Sequence, residues 1–406
     1  MKILTISATF PYPPSKGLTE NRTLNLLKYL KSSHQVSLAT LRSPDVSEAD
    51  IEKIQELVDE LAIFPAIEKP QAEKEGLFSQ VKRFRKFLQE GTPPNVLSAY
   101  SPEMQEWIDR AVENEKFDAI ACENSINEIY VRLGWSEKVR TVIDIHSSVY
   151  ADRKYHIETG ASDRELRDRI DLPLLRRYEE DYCSKFNAIA TVTIDDRKQI
   201  KALVPDAKIT VIPNGVDLDL FPMRSANSGG QRLIIIGEMD LPANIEGARF
   251  FGLEIFKEIR KRYPEVTLDI VSERFAPKVS ELAEIEGIKV TKPVSSIVEY
   301  LHWATVCVLP IPTKFGFKME TLQAMAAGVP VVGSDRALEG LKVDGAGVPL
   351  RAMRANEIDE YVYAIGRLFS EPKLREKISE NGREFVAKEY TWEKMGKRYE
   401  QLLLDI

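Results

Sequence analysis

Short apolar runs rich in Val and Ile alternate along the chain with longer stretches in which apolar positions return every three or four residues, so strands and helices are predicted in turn. Residues 2–6 read as a first strand, and residues 17–31 as the helix after it, because Leu24, Leu27 and Leu30 recur at helical spacing. Residues 36–41, 119–122, 141–145, 188–192 and 209–212 read as further strands. The pattern then restarts at 232–237 and continues with 267–271, 288–290, 306–309 and 329–332. Strands that are apolar at nearly every position are covered on both faces, as in parallel sheets with helices on either side. Such open α/β sheets bind ligands at the carboxyl ends of their strands. The polar, glycine-containing stretch 224–230 lies between the two series and reads as a linker. With 406 residues and 43% hydrophobic side chains, the chain can fill two separate cores.

Charge and cysteine usage narrow the classes. A formal net charge of -7, spread without a long basic block, excludes nucleic acid as the expected partner. Cys122, Cys183 and Cys307 sit in apolar patterns without disulfide or zinc spacing, which fits a reducing, cytoplasmic setting. The opening apolar run is broken too early for a signal peptide, and no stretch reaches the roughly 20 apolar residues of a membrane span. Residues 76–90 add one further partner. Leu77, Phe78, Val81, Phe84, Phe87 and Leu88 share one helical face opposite Lys82, Arg83, Arg85 and Lys86. Such a helix can lie in an anionic interface, which would make the protein peripheral at the inner membrane face, or it can pack on its own domain.

Two loop-to-helix junctions carry candidate chemistry. The loop 7–17 is too long and too rich in proline for the tight dinucleotide-binding turn, which argues against a dehydrogenase. Gly17 would let a phosphate approach unpaired amides at a helix start, with Lys16 and Arg22 adding charge; a simple capping glycine is the alternative. At the second junction Gly316, Phe317 and Lys318 lead into a helix from Met319 that is closed by Gly328 and Pro330. A helix start carries about half a positive charge, so a diphosphate there needs few cations beyond Lys318. Glu320 and Gln323 share a helical face and could accept from ribose hydroxyls, although Glu320 could also be an ordinary first-turn acid. His146 and the pair Glu123 and Asn124 end two strands of the first half. Asp195 and Asp196 read as a helix cap, and no Asp-x-Asp motif stands in a suitable loop, so no metal is expected.

Taken together, Phe10-Pro11-Tyr12-Pro13-Pro14 with Gly17, Asp144-Ile145-His146-Ser147, Ile212-Pro213-Asn214-Gly215-Val216-Asp217, Gly237 with Pro242 and Asn244, and the run 316–332 make a specific combination. On these residues the whole chain resembles the retaining GT4 family of glycosyltransferases, whose GT-B fold consists of two Rossmann-like doubly wound domains facing across a cleft. The resemblance implies an acceptor domain of residues 1–222 plus 391–406 and a nucleotide-sugar donor domain of residues 231–390. It also implies transfer of a hexose from a nucleotide-diphosphate sugar to a glycan or lipid-linked acceptor, without metal or other cofactor. The 237–239 and 316–318 variants are most similar to enzymes that build bacterial exopolysaccharides and surface glycans.

Carried over by residue, Gly17 meets the donor phosphate or sugar, His146 orients the transferred sugar, and Lys318 steadies the departing diphosphate. Gly237, Asn244, Gly316, Phe317 and Met319 complete the donor side. Glu123 and Asn124, at the end of a first-domain strand, either face the acceptor or simply start a loop. Two family carboxylates are replaced, by Phe315 and Gln323, and the cations expected after the first strand of the second domain give way to Glu238 and Asp240. Glu320 is therefore expected to supply the missing acid and to count, with His146 and Lys318, among the catalytic residues. The competing readings are a sugar-nucleotide 2-epimerase of the same fold and a degenerate subunit that only binds the donor. The residues following Tyr390-Thr391-Trp392 are expected to form a helix that returns to the first domain, with Trp392 as its packing anchor.

Overall fold

A computed structural model describes residues 1–66, 87–89, 91–160, 162, 164–226, 228–292, 296–312 and 319–405. The stretch 76–90, read from the sequence as an amphipathic helix, lies outside the described residues except for 87–89. The chain divides into two compact units, Met1–Asn214 with Trp392–Ile406, and Gly215–Thr391.

The first unit is built on a seven-stranded sheet of order β3-β2-β1-β4-β5-β6-β7. Its strands are β1 (Lys2–Ser7), β2 (Gln35–Arg42), β3 (Glu60–Pro65), β4 (Ala119–Glu123), β5 (Arg140–Ile145), β6 (Ala188–Thr191) and β7 (Ile209–Val211). Every pairing is parallel, with Ile3 opposite both Val36 and Ala119. Successive side chains point to opposite faces of a strand. Ile3 accordingly joins Leu24, Leu27 and Leu30 on one face, while Leu4 and Ile6 join Tyr178 and Tyr182 on the other. Trp392 belongs to the first of these cores. It opens the helix Trp392–Leu404, which packs along the helix Leu18–Lys31. Gly396 permits the close approach, since a Cβ there would stand 2.1 Å from Cγ of Tyr29.

The second unit repeats the plan with a six-stranded sheet of order β10-β9-β8-β11-β12-β13. These are β8 (Arg232–Ile236), β9 (Thr267–Val271), β10 (Ile288–Thr291), β11 (Val306–Leu309), β12 (Val331–Gly333) and the two-residue β13 (Met353–Arg354), all parallel. Two Rossmann-like sheets, each with a core on both faces, are therefore present. The described residues of the stretch 224–230 are tied down within the second unit and are not a slack connector. Arg224 is buried and donates to Ala304 O at 2.8 Å, and Thr305 Oγ1 donates to Gly229 O and Gly230 O at 3.1 Å. In each sheet the strand order reverses at one place, between β1 and β4 and between β8 and β11. Crevices at those reversals are where open α/β sheets take their ligands. Among the described residues no helix is long and apolar enough to cross a membrane.

Candidate active site

At the β8/β11 reversal the chain leaves β8 through Gly237, whose φ of 144° is one that side-chain-bearing residues rarely adopt. Space forbids a side chain there as well. A Cβ on Gly237 would lie 3.1 Å from Asn244 Nδ2 and 3.2 Å from Glu320 Oε1. Three of the residues singled out in the sequence thus meet at one point. Asn244, on the helix Pro242–Phe250, is fixed by donating Nδ2 to Glu238 O at 3.1 Å. That helix also approaches the end of β11 closely, since a Cβ on Gly247 would fall 2.5 Å from Pro310 O.

Glu320 stands in the first turn of the helix Met319–Ala326, which follows β11, and is half-buried. Burial first and the nearby Glu320 carboxylate second push the Cys307 thiol well above its usual range. Cys307 is therefore an inert thiol facing the core. Gln323 is half-buried on the same helix. Met319 is 7% exposed and packed in the core, so it can meet a ligand only through its main chain. Gly316, Phe317 and Lys318, together with Phe315, lie outside the described residues.

One cation here was missed from the sequence. Arg274, just past β9, brings Nε to 3.1 Å from Asp240 and Nη2 to 3.7 Å from Glu238. The acidic turn after β8 is thus partly balanced by a neighbour that only the sheet order reveals.

In the first unit, Glu123 closes β4, while Asp144 and His146 stand at the end of β5. His146 Nε2 lies 2.8 Å from Glu123 Oε1. Its Nδ1 is approached more loosely by Thr19 Oγ1 at 3.4 Å and by the Asn124 amide nitrogen at 3.5 Å. An amide nitrogen can only donate, so this arrangement favours Nδ1 as acceptor and Nε2–H as the donor to Glu123. Asn124 itself has φ 66° and ψ 145°, a strained backbone for a residue with a side chain. Burial first, and Asp144 next, raise the Glu123 carboxyl, while His146 and Arg22 draw it back.

Arg22 corrects an expectation. Its side chain is fully buried, with Nε 2.6 Å from Asp144 Oδ2, Nη2 3.0 Å from Asp144 Oδ1 and Nη1 2.9 Å from Asn214 Oδ1. Nη1 also donates to Pro213 O at 3.2 Å. A guanidinium committed in this way cannot add charge to a ligand phosphate. Asn214, quoted in the sequence as part of a motif, proves to be a partner of Arg22.

Gly17 precedes the helix Leu18–Lys31 with φ -178°, so its backbone makes no demand for glycine. No side chain caps that helix start, and the Glu20 carboxylate lies close, 2.6 Å from where a Gly17 Cβ would be. Lys16 is engaged with Asp45 at 2.6 Å in an exposed pair, and with Ser43 it holds the Asp45 carboxyl down at about 2.

Residues 19–220 match the description Glycosyltransferase Family 4, and residues 230–371 match Glycosyl transferases group 1. The chain belongs to the GT4 family of GT-B glycosyltransferases. Its similarity to MMP alpha-(1->4)-mannosyltransferase of Mycolicibacterium hassiacum is 24% identity over 266 residues, covering 62% of each chain. The chain spans about three fifths of the length of the curated relatives it matches, 62% and 57%. In fold it is similar to sucrose-phosphate synthase from Thermosynechococcus elongatus, at TM-score 0.68 and 16% identity over 100% of this chain and 98% of that one. Anabaena HepE, solved in complex with UDP, is similar at TM-score 0.64 and 12% identity over 100% of both chains.

Among the described residues of the first unit, one group could be imagined around a cation. Ligand atoms of Glu123, Asp144 and His146 lie within 4.8 Å of one another. Arg22 already engages both oxygens of Asp144, and His146 engages Glu123, so a cation would have to displace a buried guanidinium. The donor set is poorly suited to that exchange.

Proposed function

We propose that the protein is a retaining hexosyltransferase that moves a sugar from a nucleotide-diphosphate sugar to a glycan or lipid-linked acceptor in surface-polysaccharide assembly. The observation that carries this reading is the meeting of Gly237, Asn244 and Glu320 at the strand-order reversal of the second unit. A side-chain-free floor beside a carboxylate suits a ribose and diphosphate laid against main chain. Glu320 accepts from the ribose hydroxyls, with Gln323 one turn on. The amides at 316–319, with Lys318, receive charge that develops on the departing diphosphate, a preorganised electrostatic role. His146 presents Nδ1 as an acceptor to the transferred sugar. Gly17 and Lys16 border the donor, and Glu123 and Asn124 border the acceptor.

In this reading the donor phosphate takes the acceptor proton, and catalysis needs no metal. It works on the cytoplasmic side, with 76–90 as the contact to a membrane surface. Support comes from family membership, from the mannosyltransferase relative and from the UDP complex of a protein of like fold.

The test is a thermal-shift screen over nucleoside diphosphates and their sugars. A ligand at 100 times its dissociation constant stabilises by about 2.7 kcal/mol. Turnover is then followed as nucleoside diphosphate release with EDTA present, and product configuration by NMR. Absence of a shift with every nucleotide, or an inverted product, would sink the proposal. The Gln323 replacement favours one second reading, a donor-binding subunit, which would show donor affinity without turnover on an acceptor panel.

A further inference from the structure

Away from the residues placed in the transfer reaction, the first unit holds a cleft of about 480 Å³ where the helix Val149–Glu158 meets the helix Glu165–Cys183. Arg153, Arg164, Arg167 and His156 line it together with Asp152 and Asp168. Three arginines thus face two aspartates of the lining, with Asp171 standing beside Arg167 as a third acid.

The two central arginines are only partly used. Arg153 gives Nη1 to Asp168, a buried carboxylate that also receives Ser162 Oγ at 2.6 Å. Arg167 gives Nε to Asp171 at 3.4 Å, long for a charge-assisted bond. Among the described residues neither makes another hydrogen bond or ion pair. A guanidinium carries five donors, so each keeps Nη donors for a ligand. Both also border the smaller cavity beside the cleft, which places them on a shared wall. Planar forks on one wall match the oxygens of a phosphate better than flexible ammonium groups would.

We propose that this cleft is an anion subsite that holds a phosphate of the acceptor between Arg153 and Arg167, with Arg164 and His156 at its rim. The inference rests on the transfer reading above and deepens it by naming the acceptor's chemistry. The helix carrying Arg153 and His156 begins just after His146, at the carboxyl edge of the sheet, where Glu123 and Asn124 also lie. The same chemistry could come from a soluble phosphorylated glycan or from a lipid headgroup.

Inorganic pyrophosphate is the probe for the first source, titrated calorimetrically into the full chain with a saturating nucleoside diphosphate present. Sedimentation with phosphatidylglycerol vesicles probes the second. Wild-type protein is expected to bind one probe, and the pair Arg153→Gln and Arg167→Gln to weaken it at least tenfold. Nucleoside diphosphate affinity should not change. Because Arg153→Gln leaves Asp168 without its cation, Arg153→Lys serves beside it. Lysine keeps that pair but loses the fork, and should weaken the probe severalfold at an unchanged melting temperature. Binding of neither probe, or equal binding by wild type and variants, overturns the subsite. Since nucleoside diphosphate binding is read separately, that failure is distinct from failure of the transfer reading.

Discussion

Replacing Arg22 by Met separates an architectural cation from a ligand-binding one. The change removes three side-chain bonds to Asp144 and Asn214 and one to Pro213 O, and leaves Asp144 fully buried without its cation. Breaking one partner of a buried pair typically costs about 3–5 kcal/mol, because the remaining charge is uncompensated. For a unit of this size each kcal/mol moves the melting point by about 2–4 °C, so the first unit should melt roughly 6–20 °C lower. Combining Arg22→Met with Asp144→Leu should restore much of the loss, since an apolar pair of similar volume can replace a buried ion pair.

Urea unfolding followed by tryptophan fluorescence gives the stability, and calorimetry at low temperature, on protein still folded, gives donor affinity. A structural Arg22 leaves that affinity within about threefold of wild type, whereas losing a direct phosphate contact costs about tenfold or more. Stability within about 1 kcal/mol of wild type, together with a tenfold loss of donor affinity, would refute the placement of Arg22 as architecture.

Glu320→Ala should raise the donor dissociation constant about tenfold by calorimetry, the worth of one charged hydrogen bond, and unchanged affinity would remove Glu320 from the site. Gly396→Ala should destabilise by about 1–3 kcal/mol despite alanine's better helix propensity, because the new methyl meets the Tyr29 ring; an unchanged or higher melting point would contradict the packing. Burial raises the Asp196 carboxyl to about 6 against the hydrogen bonds from Thr193, so its folded form holds a proton that the unfolded chain has lost. That contribution is full below about 3.8 and fades as pH rises through about 6, so Asp196→Asn should gain on wild type between pH 4.5 and 7 in urea melts, and a constant difference would speak against it. Arg274→Gln should weaken donor binding about twofold at low salt, the worth of a charge about 10 Å away in water. The effect should disappear at 0.5 M salt, and its persistence there would mean direct contact.

Most of the strands were legible because strands buried on both faces announce themselves as apolar runs, whereas their order within each sheet was not. β3 escaped because all its positions from Glu60 to Phe64 are half-buried at a sheet edge, and β13 because it is two residues long. Gly237 and Asn244 were legible one at a time from the family resemblance, and Glu320 from the helical face it shares with Gln323. Their convergence was not, since it depends on β8 lying beside β11. Arg22 misled because a helix-start arginine reads the same whether it faces a ligand or a buried aspartate. Arg274 and the strained Asn124 left no local signal, the one being placed by β9 and the other by the backbone at the end of β4.

The two units handle charge at their strand ends in opposite ways, and this bears on how a donor diphosphate would be held. In the first, buried Asp144 is neutralised by Arg22 and buried Glu123 accepts a hydrogen bond from His146, and among the described residues Glu20 is the acid that lies against the start of the helix Leu18–Lys31. In the second, the turn after β8 carries Glu238 and Asp240 against Arg274, an excess of one negative charge. A diphosphate gains nothing from side chains at that turn. On the proposed reading its affinity must come from Lys318 and from main-chain amides at the start of the neighbouring helix Met319–Ala326, since a helix start carries partial positive charge. Glycine at 237 then has a second use. On the same proposed reading it would let the ribose lie against main chain beside Glu320, where a carboxylate can accept from hydroxyls without facing the phosphates, keeping the acid that binds the sugar apart from the charge it would oppose.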